Sequence, residues 1–491
     1  MPQLIHSQST VYNHNITGAY SGSNNFVNRQ TLPFFFFFTL LILWVRNNGF
    51  FWDSIVVGSG YAHWYYVTNF SQLFVPENLA GYPPLFGMYL AFGWKLFGKS
   101  LLVSHALMLP FLFGIVVQVQ LLVKRFVLPY FGFWVLLLVL AEPTFLAQAA
   151  QISPDIILVF LYLLCLNSIL KGRRALLAVA LILLSMLSPR GMIMVMAVFV
   201  SDLIIAWFET EGNLDWKKAA KRIYAYLPAF LVACAWLILH FQHYGWVFYN
   251  KDSDWGQGAE LVGFSGFVKN VAVIGWRFLD FGKVVPLVLL AILLLFVFRK
   301  RKANADTKLL LALAILPALI LSGIIVFYQN PISHRYYIVP FMLLLLLLGH
   351  LLQYFAKPKR FILYGFTLAS LVIGHFTVTL YPDWLSKGWD GTLAHLPYYK
   401  LRSEMIAYLD EQEIKVDAVG SAYPNLRSFE LTDLQHSPVK FVPKDLQQQT
   451  YVLYSNVFND FTDEEILELE QHWHVQKELK EGAVYFRLYK K

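Results

Sequence analysis

The sequence is poor in charged residues. Only 14% of its 491 residues are Asp, Glu, Lys or Arg, whereas 57% are hydrophobic. A soluble domain carries about 25% charged residues. The low charge content therefore excludes an ordinary soluble domain, and the repeated apolar runs indicate a polytopic membrane protein.

Cysteine is also scarce, and no segment has the pattern of a cleaved leader. Cys165 and Cys234 both lie inside apolar runs, so we predict buried thiols rather than a disulfide framework or a cysteine metal cluster. The first 30 residues are polar and lack the apolar core of a signal peptide, so we expect no cleaved leader. The net charge of +8 comes from short basic clusters between apolar runs, which does not favour nucleic acid as a partner.

The apolar runs predict an all-α polytopic membrane domain. A membrane-crossing helix needs about 20 mostly apolar residues, although shorter runs also occur. We predict about 11 spans, at residues 31–46, 101–123, 131–149, 155–171, 175–188, 190–208, 223–241, 284–298, 309–328, 337–355 and 361–380.

The distribution of Lys and Arg predicts the orientation of these spans. Alternate loops carry most of the basic residues, among them the run 299–302. Short loops rich in Lys and Arg face the cytoplasm. We therefore predict a cytoplasmic N-terminal tail, residues 1–30, and a C-terminal region on the outer face. This orientation requires that Tyr82–Gly98 does not cross the membrane, and we predict an outer interfacial helix there, which begins after two prolines.

The region after the last predicted span differs in composition, because polar and charged residues return. The segments "YYKLRSEMIAYLDEQ" and "TDEEILELEQHW" have helical spacing, and the second opens with Thr462 as an N-cap. The segments "VDAVGSAY", "TYVLYS" and "AVYFRLYKK" are typical of short strands. We therefore predict a membrane domain at 31–380, followed by a small extracytoplasmic α/β domain at 381–491.

With this orientation, several of the scarce charged residues collect at the outer rim of the membrane domain. Asp53 lies in the first outer loop, Asp155 at the start of the fourth span and Arg190 at the next outer turn, whereas Arg335 lies at the mouth of the tenth span. A charge at the bilayer centre costs about 2.5–3.5 kcal/mol, and rim positions avoid most of that cost. We predict that these side chains surround a cavity open both to lipid and to the outside.

Such a cavity suits a polyprenyl-phosphate sugar, whose tail stays in the bilayer while its phosphosugar lies at the outer surface. Arginine pairs with phosphate through two parallel hydrogen bonds, which favours the outer arginines as ligands of the donor phosphate. A carboxylate can act as the base for an acceptor hydroxyl. Aromatic faces pack against sugar rings, so we predict that Trp52, Tyr82 and the nearby His63 contact the sugar or the acceptor.

Four ordered segments resemble a known family. They are "FFWDSIVVGSGYAHW", "YPPLFGMYLAFGWKLFGKS", "PDIILVFLYLLCLNSIL" and "HRYYIVPFMLLLL". In this order they resemble the lipid-linked-sugar glycosyltransferases of the GT-C fold. The pattern is most similar to the bacterial branch of the protein O-mannosyltransferase superfamily, which includes the enzyme that adds aminoarabinose to lipid A. The resemblance covers about residues 30–380.

The resemblance implies a GT-C-like fold and roles for individual residues. Asp53 matches the first-loop aspartate, taken as the catalytic base, and Asp155 matches an acid that orders the site. Arg335 matches a late arginine that binds the donor phosphate. From its place at the outer rim, and not from the resemblance, we predict Arg190 as a second ligand of that phosphate. The family inverts the anomeric centre in one displacement.

The sequence departs from the family at two places that concern metal binding. Ser54 stands where protein mannosyltransferases have Glu, and Gly81-Tyr82 replace an acidic–basic pair that helps to place a metal. The sequence therefore leaves a divalent metal open as a cofactor and predicts no other. His63, His334 and Glu77, or the pair Asp252 and Asp254, could be ligands, yet no spacing typical of metal-binding histidines supports them.

Ordinary structural roles stay open for each of these residues. Asp53 could be a solvated loop acid, and Asp155 suits a helix start, where a carboxylate meets the helix dipole. Arg190 could lie at the membrane interface or cap a neighbouring helix end. Arg335 could extend towards lipid headgroups.

Two other functional classes also stay open. One is a transporter or flippase for a lipid or small solute, and the other is an inactive relative whose outer domain is a binding module. Transporters usually carry paired repeats and broken helices, and the sequence has no evident internal repeat. We therefore predict a glycosyltransferase of the bacterial inner membrane that moves a sugar from a polyprenyl-phosphate donor to a hydroxyl of a lipid, glycan or protein.

Overall fold

The structure is a computed structural model that describes residues 29–210, 216–250, 256–382, 385, 387–458 and 460–491. Most of the N-terminal tail and the pair Asp252 and Asp254 lie outside the described residues. The described part of the chain is mainly helical, and a small sheet forms near the C-terminus.

The helices follow the apolar runs of the sequence, and many begin at proline, which is favourable in the first helical turn because its missing N–H needs no partner there. The α-helices are Leu32–Val45 (α1), Tyr61–Val67 (α2), Leu85–Phe97 (α3), Leu101–Ala106 (α4), Leu109–Phe126 (α5), Pro129–Leu140 (α6), Pro143–Ala149 (α7), Pro154–Leu170 (α8), Arg174–Ser185 (α9), Pro189–Glu209 (α10), Trp216–Ile223 (α11), Leu227–Tyr244 (α12), Phe264–Leu279 (α13), Val284–Arg299 (α14), Ala305–Ile325 (α15), Ile338–Leu352 (α16), Lys357–Gly374 (α17), Pro397–Glu411 (α18), Phe429–Thr432 (α19) and Asp463–His472 (α20).

One π-helix and several short 3₁₀ turns complete the helical structure. The π-helix is Ser54–Gly60, and the 3₁₀ turns are Gly256–Ala259, His334–Tyr337, Thr377–Leu380, Trp389–Gly391, Leu393–His395 and Val416–Ala418.

Each of the predicted spans lies on one or two of these helices. Among the described residues, five helices are long and apolar enough to cross a membrane, or up to seven if each of two bent helix pairs is one span. The chain is therefore a multi-pass membrane protein. The predicted spans 31–46, 155–171 and 175–188 fall on shorter apolar helices, so the total of about 11 crossings stays a prediction. Helix α3 lies where the interfacial helix was predicted.

The two bent pairs are joined to each other by a buried ion pair. Helices α6 and α7 meet at 68°, and α13 and α14 meet at 91°. Glu142 lies in the first break and Lys283 at the end of the second, with Nζ 2.7 Å from Oε1 and neither side chain exposed. Lys283 also donates to Thr144 Oγ1 at 2.9 Å, and Glu142 accepts from the Phe145 N–H at 2.5 Å. Irregular backbone inside a membrane domain needs such partners.

The C-terminal region forms a mixed sheet packed against α18. The described strands are Val419–Ser421 (β1), Val442–Pro443 (β2), Tyr451–Ser455 (β3), His474–Glu481 (β4) and Val484–Lys490 (β5), in the order β2-β1-β3-β5-β4. β1 pairs in parallel with β2 and β3, whereas β5 pairs antiparallel with β3 and β4.

The two predicted C-terminal helices are confirmed as α18 and α20, and Thr462 caps α20 in a capping box with Glu465. The three predicted strands are confirmed as β1, β3 and β5. Strand β2 was not predicted, and neither was β4, which is rich in charged residues and mostly exposed at the sheet edge.

The core of this α/β region includes residues from the membrane domain. Phe51, Phe281 and Val378 lie in the same hydrophobic cluster as the sheet and α18. The Phe50 N–H donates to the Thr432 carbonyl at 2.8 Å, and a Cβ on Gly49 would lie 2.6 Å from that oxygen. The two regions therefore share packing at the first loop, and the predicted boundary at residue 380 stays a prediction.

The buried pair yields a stability prediction. Lys283→Met leaves the Glu142 carboxylate without its charge partner, so we expect the free energy of unfolding to fall by about 3–5 kcal/mol. In the double variant Glu142→Gln/Lys283→Met neither charge is left alone, and most of the loss should be recovered. Thermal unfolding of the purified protein, followed by tryptophan fluorescence, measures both effects.

Lys269→Met is the matched control, because Lys269 is exposed on α13 and its removal should leave the unfolding temperature unchanged. If the double variant is as unstable as Lys283→Met alone, the two side chains do not act as a pair.

Candidate active site

Arg335 lies where three carboxylates converge. It belongs to the short turn before α16 and donates a hydrogen bond from Nη2 to Asp53 Oδ2. Its Nε lies 3.4 Å from Asp390 Oδ2 and 3.7 Å from Asp155 Oδ2. The guanidinium is 13% exposed, so it is largely shielded from water while charges surround it.

Asp155 and Arg190 form the second ion pair, and two similar helix starts position them. In "SPD" and "SPR", Ser153 and Ser188 are N-caps whose hydroxyls accept from the N–H groups of Asp155 and Gly191. Arg190 Nη1 lies 2.5 Å from Asp155 Oδ1. The Arg190 guanidinium also stacks on the Tyr336 ring at 4.3 Å. The ordinary role predicted for Asp155, at a helix start, is therefore present together with its ion pair.

The position of Asp53 is set by the π-helix that follows it. Ser54 is buried, and its hydroxyl donates to the Phe51 carbonyl at 2.8 Å and accepts from the Phe51 N–H at 3.0 Å, which ties the start of the π-helix to the residues before it. Trp52 has φ +48°, a left-handed conformation that is unusual for a bulky residue. The Tyr423 hydroxyl donates to the Trp52 carbonyl at 2.5 Å. The α/β region therefore helps to hold the first loop.

The charges of the network do not balance. Three carboxylates and two guanidinium groups carry one net negative charge when all are ionised. Burial acts to raise the pKa of Asp53, but the adjacent Arg335 and the nearby Arg190 hold it below its ordinary value. At Asp390, burial together with the neighbouring Asp53 and Asp155 outweighs Arg335 and raises the pKa. The environments of these two acids thus push their pKa values apart.

A second buried cluster supports Arg335 from behind. His334 Nε2 donates to Asp280 Oδ2 at 2.8 Å, and Asp280 also accepts from Trp276, Tyr381 and the Phe281 N–H. The His334 ring is fully buried and lies 4.2 Å from the Phe281 ring. His334 therefore has a structural partner here and does not join a metal cluster among the described residues.

Gly388 is needed where the segment carrying Asp390 passes His334. Gly388 has φ +60°, and a Cβ there would lie 2.8 Å from the His334 ring. Any side chain at this position would push the segment away. The close approach places the turn Trp389–Gly391, and with it Asp390, next to Arg335.

The three residues predicted to contact the sugar or the acceptor have two different sets of neighbours. Tyr82 is buried near the network, and its burial together with the neighbouring Asp53 raises the pKa of its hydroxyl. Trp52 adjoins Asp53 and packs against Tyr423, with ring centroids 5.7 Å apart. His63 has different partners: Lys99 Nζ donates to its Nδ1 at 2.9 Å, and Glu430 lies 3.7 Å away. The predicted contact of His63 with the sugar or acceptor stays a prediction.

The structure thus brings together Asp53, Asp155, Arg190 and Arg335, all of which the sequence analysis selected. Asp390 was not predicted, because it lies in "GWDG" beyond the last predicted span, where charged residues are common again. The signal available in the sequence was that Asp390 is a lone acid beside Trp389 and between Gly388 and Gly391. Among the described residues, no three His, Cys, Asp or Glu side chains form a group that could hold a metal ion.

The comparisons with known proteins concern the fold alone. No family model and no curated protein sequence matches the chain. The crystal structure of ArnT from Cupriavidus metallidurans bound to undecaprenyl phosphate is similar, with a TM-score of 0.54 and 12% identity over 92% of this chain and 97% of that one. The same protein in the apo state gives a TM-score of 0.50 and 12% identity over 93% and 97%. At this identity the likeness establishes the fold, and the chain has the GT-C fold that its four ordered segments predicted.

Proposed function

We propose that this chain is a membrane glycosyltransferase that moves one sugar from a polyprenyl phosphate to a hydroxyl of a lipid, glycan or protein. The ion-pair network of Asp53, Asp155, Arg190 and Arg335 carries this proposal, since four distant parts of the chain supply it. The fold supports it as well, because ArnT, which has the same fold, was crystallised with undecaprenyl phosphate.

The arginines are suited to the leaving group. A polyprenyl phosphate departs as an anion, and guanidinium groups that are already fixed in place stabilise such a charge without reorganising. Arg335 is fixed by its neighbours and keeps its Nε–H free of a hydrogen-bond acceptor among the described residues. In the proposed reaction this N–H binds a phosphate oxygen, with Arg190 as the second positive charge nearby.

Asp53 is the proposed base. It is ionised at neutral pH, because its pKa lies below the ordinary value. It accepts the proton of the acceptor hydroxyl while the hydroxyl oxygen bonds to the anomeric carbon. The bond from that carbon to the phosphate oxygen breaks in the same displacement, and its electron pair leaves with the polyprenyl phosphate. Configuration at the anomeric carbon is inverted.

The remaining residues position these groups. Asp155 holds Arg190 and lies 3.7 Å from Arg335, so it sets the distance between the two guanidinium groups. Trp52 and Tyr82 lie beside Asp53 and are proposed to contact the sugar. His63, with Lys99 and Glu430, is proposed to lie at the acceptor entrance.

The proposed setting is the bacterial inner membrane, with a cytoplasmic N-terminus and an extracytoplasmic α/β domain. This orientation follows from the basic loops and puts the network at the outer surface. There it can meet a phosphosugar whose isoprenoid tail remains in lipid.

Consumption of the donor tests the proposal against its rivals. Purified protein in membranes is incubated with a radiolabelled polyprenyl-phosphate sugar, and the release of free polyprenyl phosphate is measured. A flippase or a binding module would leave the donor intact. Mass spectrometry of envelope lipids and glycans from a deletion strain would then identify the acceptor that loses its sugar.

Asp53→Asn should abolish transfer without lowering the amount of protein in the membrane. The amide keeps the shape of the carboxylate but cannot take the proton, so we expect turnover to fall by about 10²–10⁴-fold. The control is Asp410→Asn, an equal charge change on the exposed end of α18. Unchanged turnover in Asp53→Asn would refute its assignment as the base.

Asp155 and Arg190 should behave as a coupled pair. Arg190→Gln leaves the nearly fully buried Asp155 with only the more distant Arg335, so the single variant loses rate partly through an unpaired charge. Adding Asp155→Asn removes that charge. The double variant should therefore lose less than the sum of the singles, with a coupling energy of about 0.5–3 kcal/mol in transfer rate.

The control cycle pairs Asp155→Asn with Lys440→Gln, an exposed residue of the α/β region, and its effects should add. Additive effects in the Asp155 and Arg190 cycle would mean that the two residues act independently.

A further inference from the structure

We propose that Asp390 occupies the phosphate position at Arg335 when no donor is bound, and so competes with the donor and sets its affinity. The inference rests on the proposed function, since it assumes that Arg335 receives the donor phosphate. It assigns a role to a carboxylate that the proposed reaction does not use.

The first observation is the free edge of Arg335. Its Nη2 is occupied by Asp53, whereas among the described residues its buried Nε–H has no hydrogen-bond acceptor. Asp390 Oδ2 lies 3.4 Å from that nitrogen without the geometry of a hydrogen bond. Asp390, with Asp155 Oδ2 at 3.7 Å, thus neutralises this edge by charge alone. A phosphate oxygen that accepts the N–H would gain a hydrogen bond that neither carboxylate makes.

The second observation is that the three acids are held unequally. Asp155 has Arg190 at 2.5 Å, and Asp53 has its hydrogen bond to Arg335. Among the described residues, the contacts of the Asp390 carboxylate are with Arg335 and the Ser333 hydroxyl, each at 3.4 Å. With all five groups ionised, the network already carries one net negative charge. A phosphate that binds there adds negative charge, so one of the three carboxylates is no longer needed to balance the arginines. Of the three acids, Asp390 gives up the weakest contacts when its carboxylate moves away from Arg335.

The third observation is that only the side chain of Asp390 has to move. The Gln148 side chain donates to the Asp390 carbonyl at 2.8 Å, and the adjacent glycines pack on His334 and Phe281. The backbone is therefore fixed, while the carboxylate is 15% exposed and can rotate or take a proton. Within the described part of the chain, the charged groups that act on it are Arg335, Asp53, Asp155 and Arg277, and Lys387 lies on its own segment.

The test measures binding of undecaprenyl phosphate to the purified full-length protein in detergent. Asp390→Asn removes the competing charge and keeps the side-chain shape, so we expect roughly tenfold tighter binding at about pH 8. A tenfold change corresponds to about 1.4 kcal/mol. Asp390→Ala should also bind more tightly, whereas Asp390→Glu should not. Asp417→Asn, an exposed acid of the α/β region, is the control and should bind like the wild type.

The pH dependence gives a second readout. The competing charge is fully present above the raised pKa of Asp390 and is lost below it. The ratio of the wild-type Kd to that of Asp390→Asn should therefore approach one in acid and grow as the pH rises. Titration of the ligand itself cancels in this ratio. A ratio that does not change with pH would overturn the inference.

Arg335→Gln separates the inference from the proposed function. If this variant loses binding but Asp390→Asn and Asp390→Ala bind no more tightly than the wild type, Arg335 receives the phosphate and the role of Asp390 is wrong. If Arg335→Gln binds like the wild type, the proposed phosphate site itself is wrong, and the inference fails with it.

Discussion

The site depends on one buried guanidinium and the carboxylates around it. Desolvating a charge inside a protein costs several kcal/mol unless partners compensate, so Arg335 can occupy its position only while acids from other parts of the chain lie beside it. Those acids come from the first loop, the start of α8 and the segment after α17. The membrane helices and the C-terminal region must therefore both be in place before the site exists.

The same requirement explains the polar groups that surround the network. Glu142 and Lys283 satisfy each other at the breaks of two bent helix pairs. A few residues along α7, Gln148 donates to the Asp390 carbonyl and accepts from Ser153, the cap of α8. Next to Lys283, Phe281 packs on His334, which precedes Arg335. Residues at or next to the two helix breaks thus contact the segments that carry Asp155, Asp390 and Arg335. The buried pair Glu142–Lys283 makes the irregular backbone at the breaks tolerable inside a membrane domain.

The sequence predicted those site residues that lie in segments where charged residues are scarce. Asp53, Asp155, Arg190 and Arg335 stood out because each interrupts or borders an apolar run, where an ionised side chain is expensive. Asp390 lies beyond the last run, where composition no longer marks it. His63 lies ten residues after Asp53 in the sequence, and the π-helix Ser54–Gly60 and the start of α2 lie between them. In the structure His63 contacts Lys99 and, from α19, Glu430, and its predicted contact with the sugar or the acceptor stays a prediction.

In the network without donor, Asp53 is a poor base, because the hydrogen bond from Arg335 stabilises its ionised form. In the proposed reaction, a phosphate that binds to Arg335 shares this guanidinium and adds negative charge near the carboxylate. Both changes raise the pKa of Asp53 and increase its affinity for the acceptor proton. Asp53 would then become a stronger base only when the donor is bound. The ion pair that compensates the buried charge of Arg335 would also keep Asp53 a weak base until the leaving group is in position.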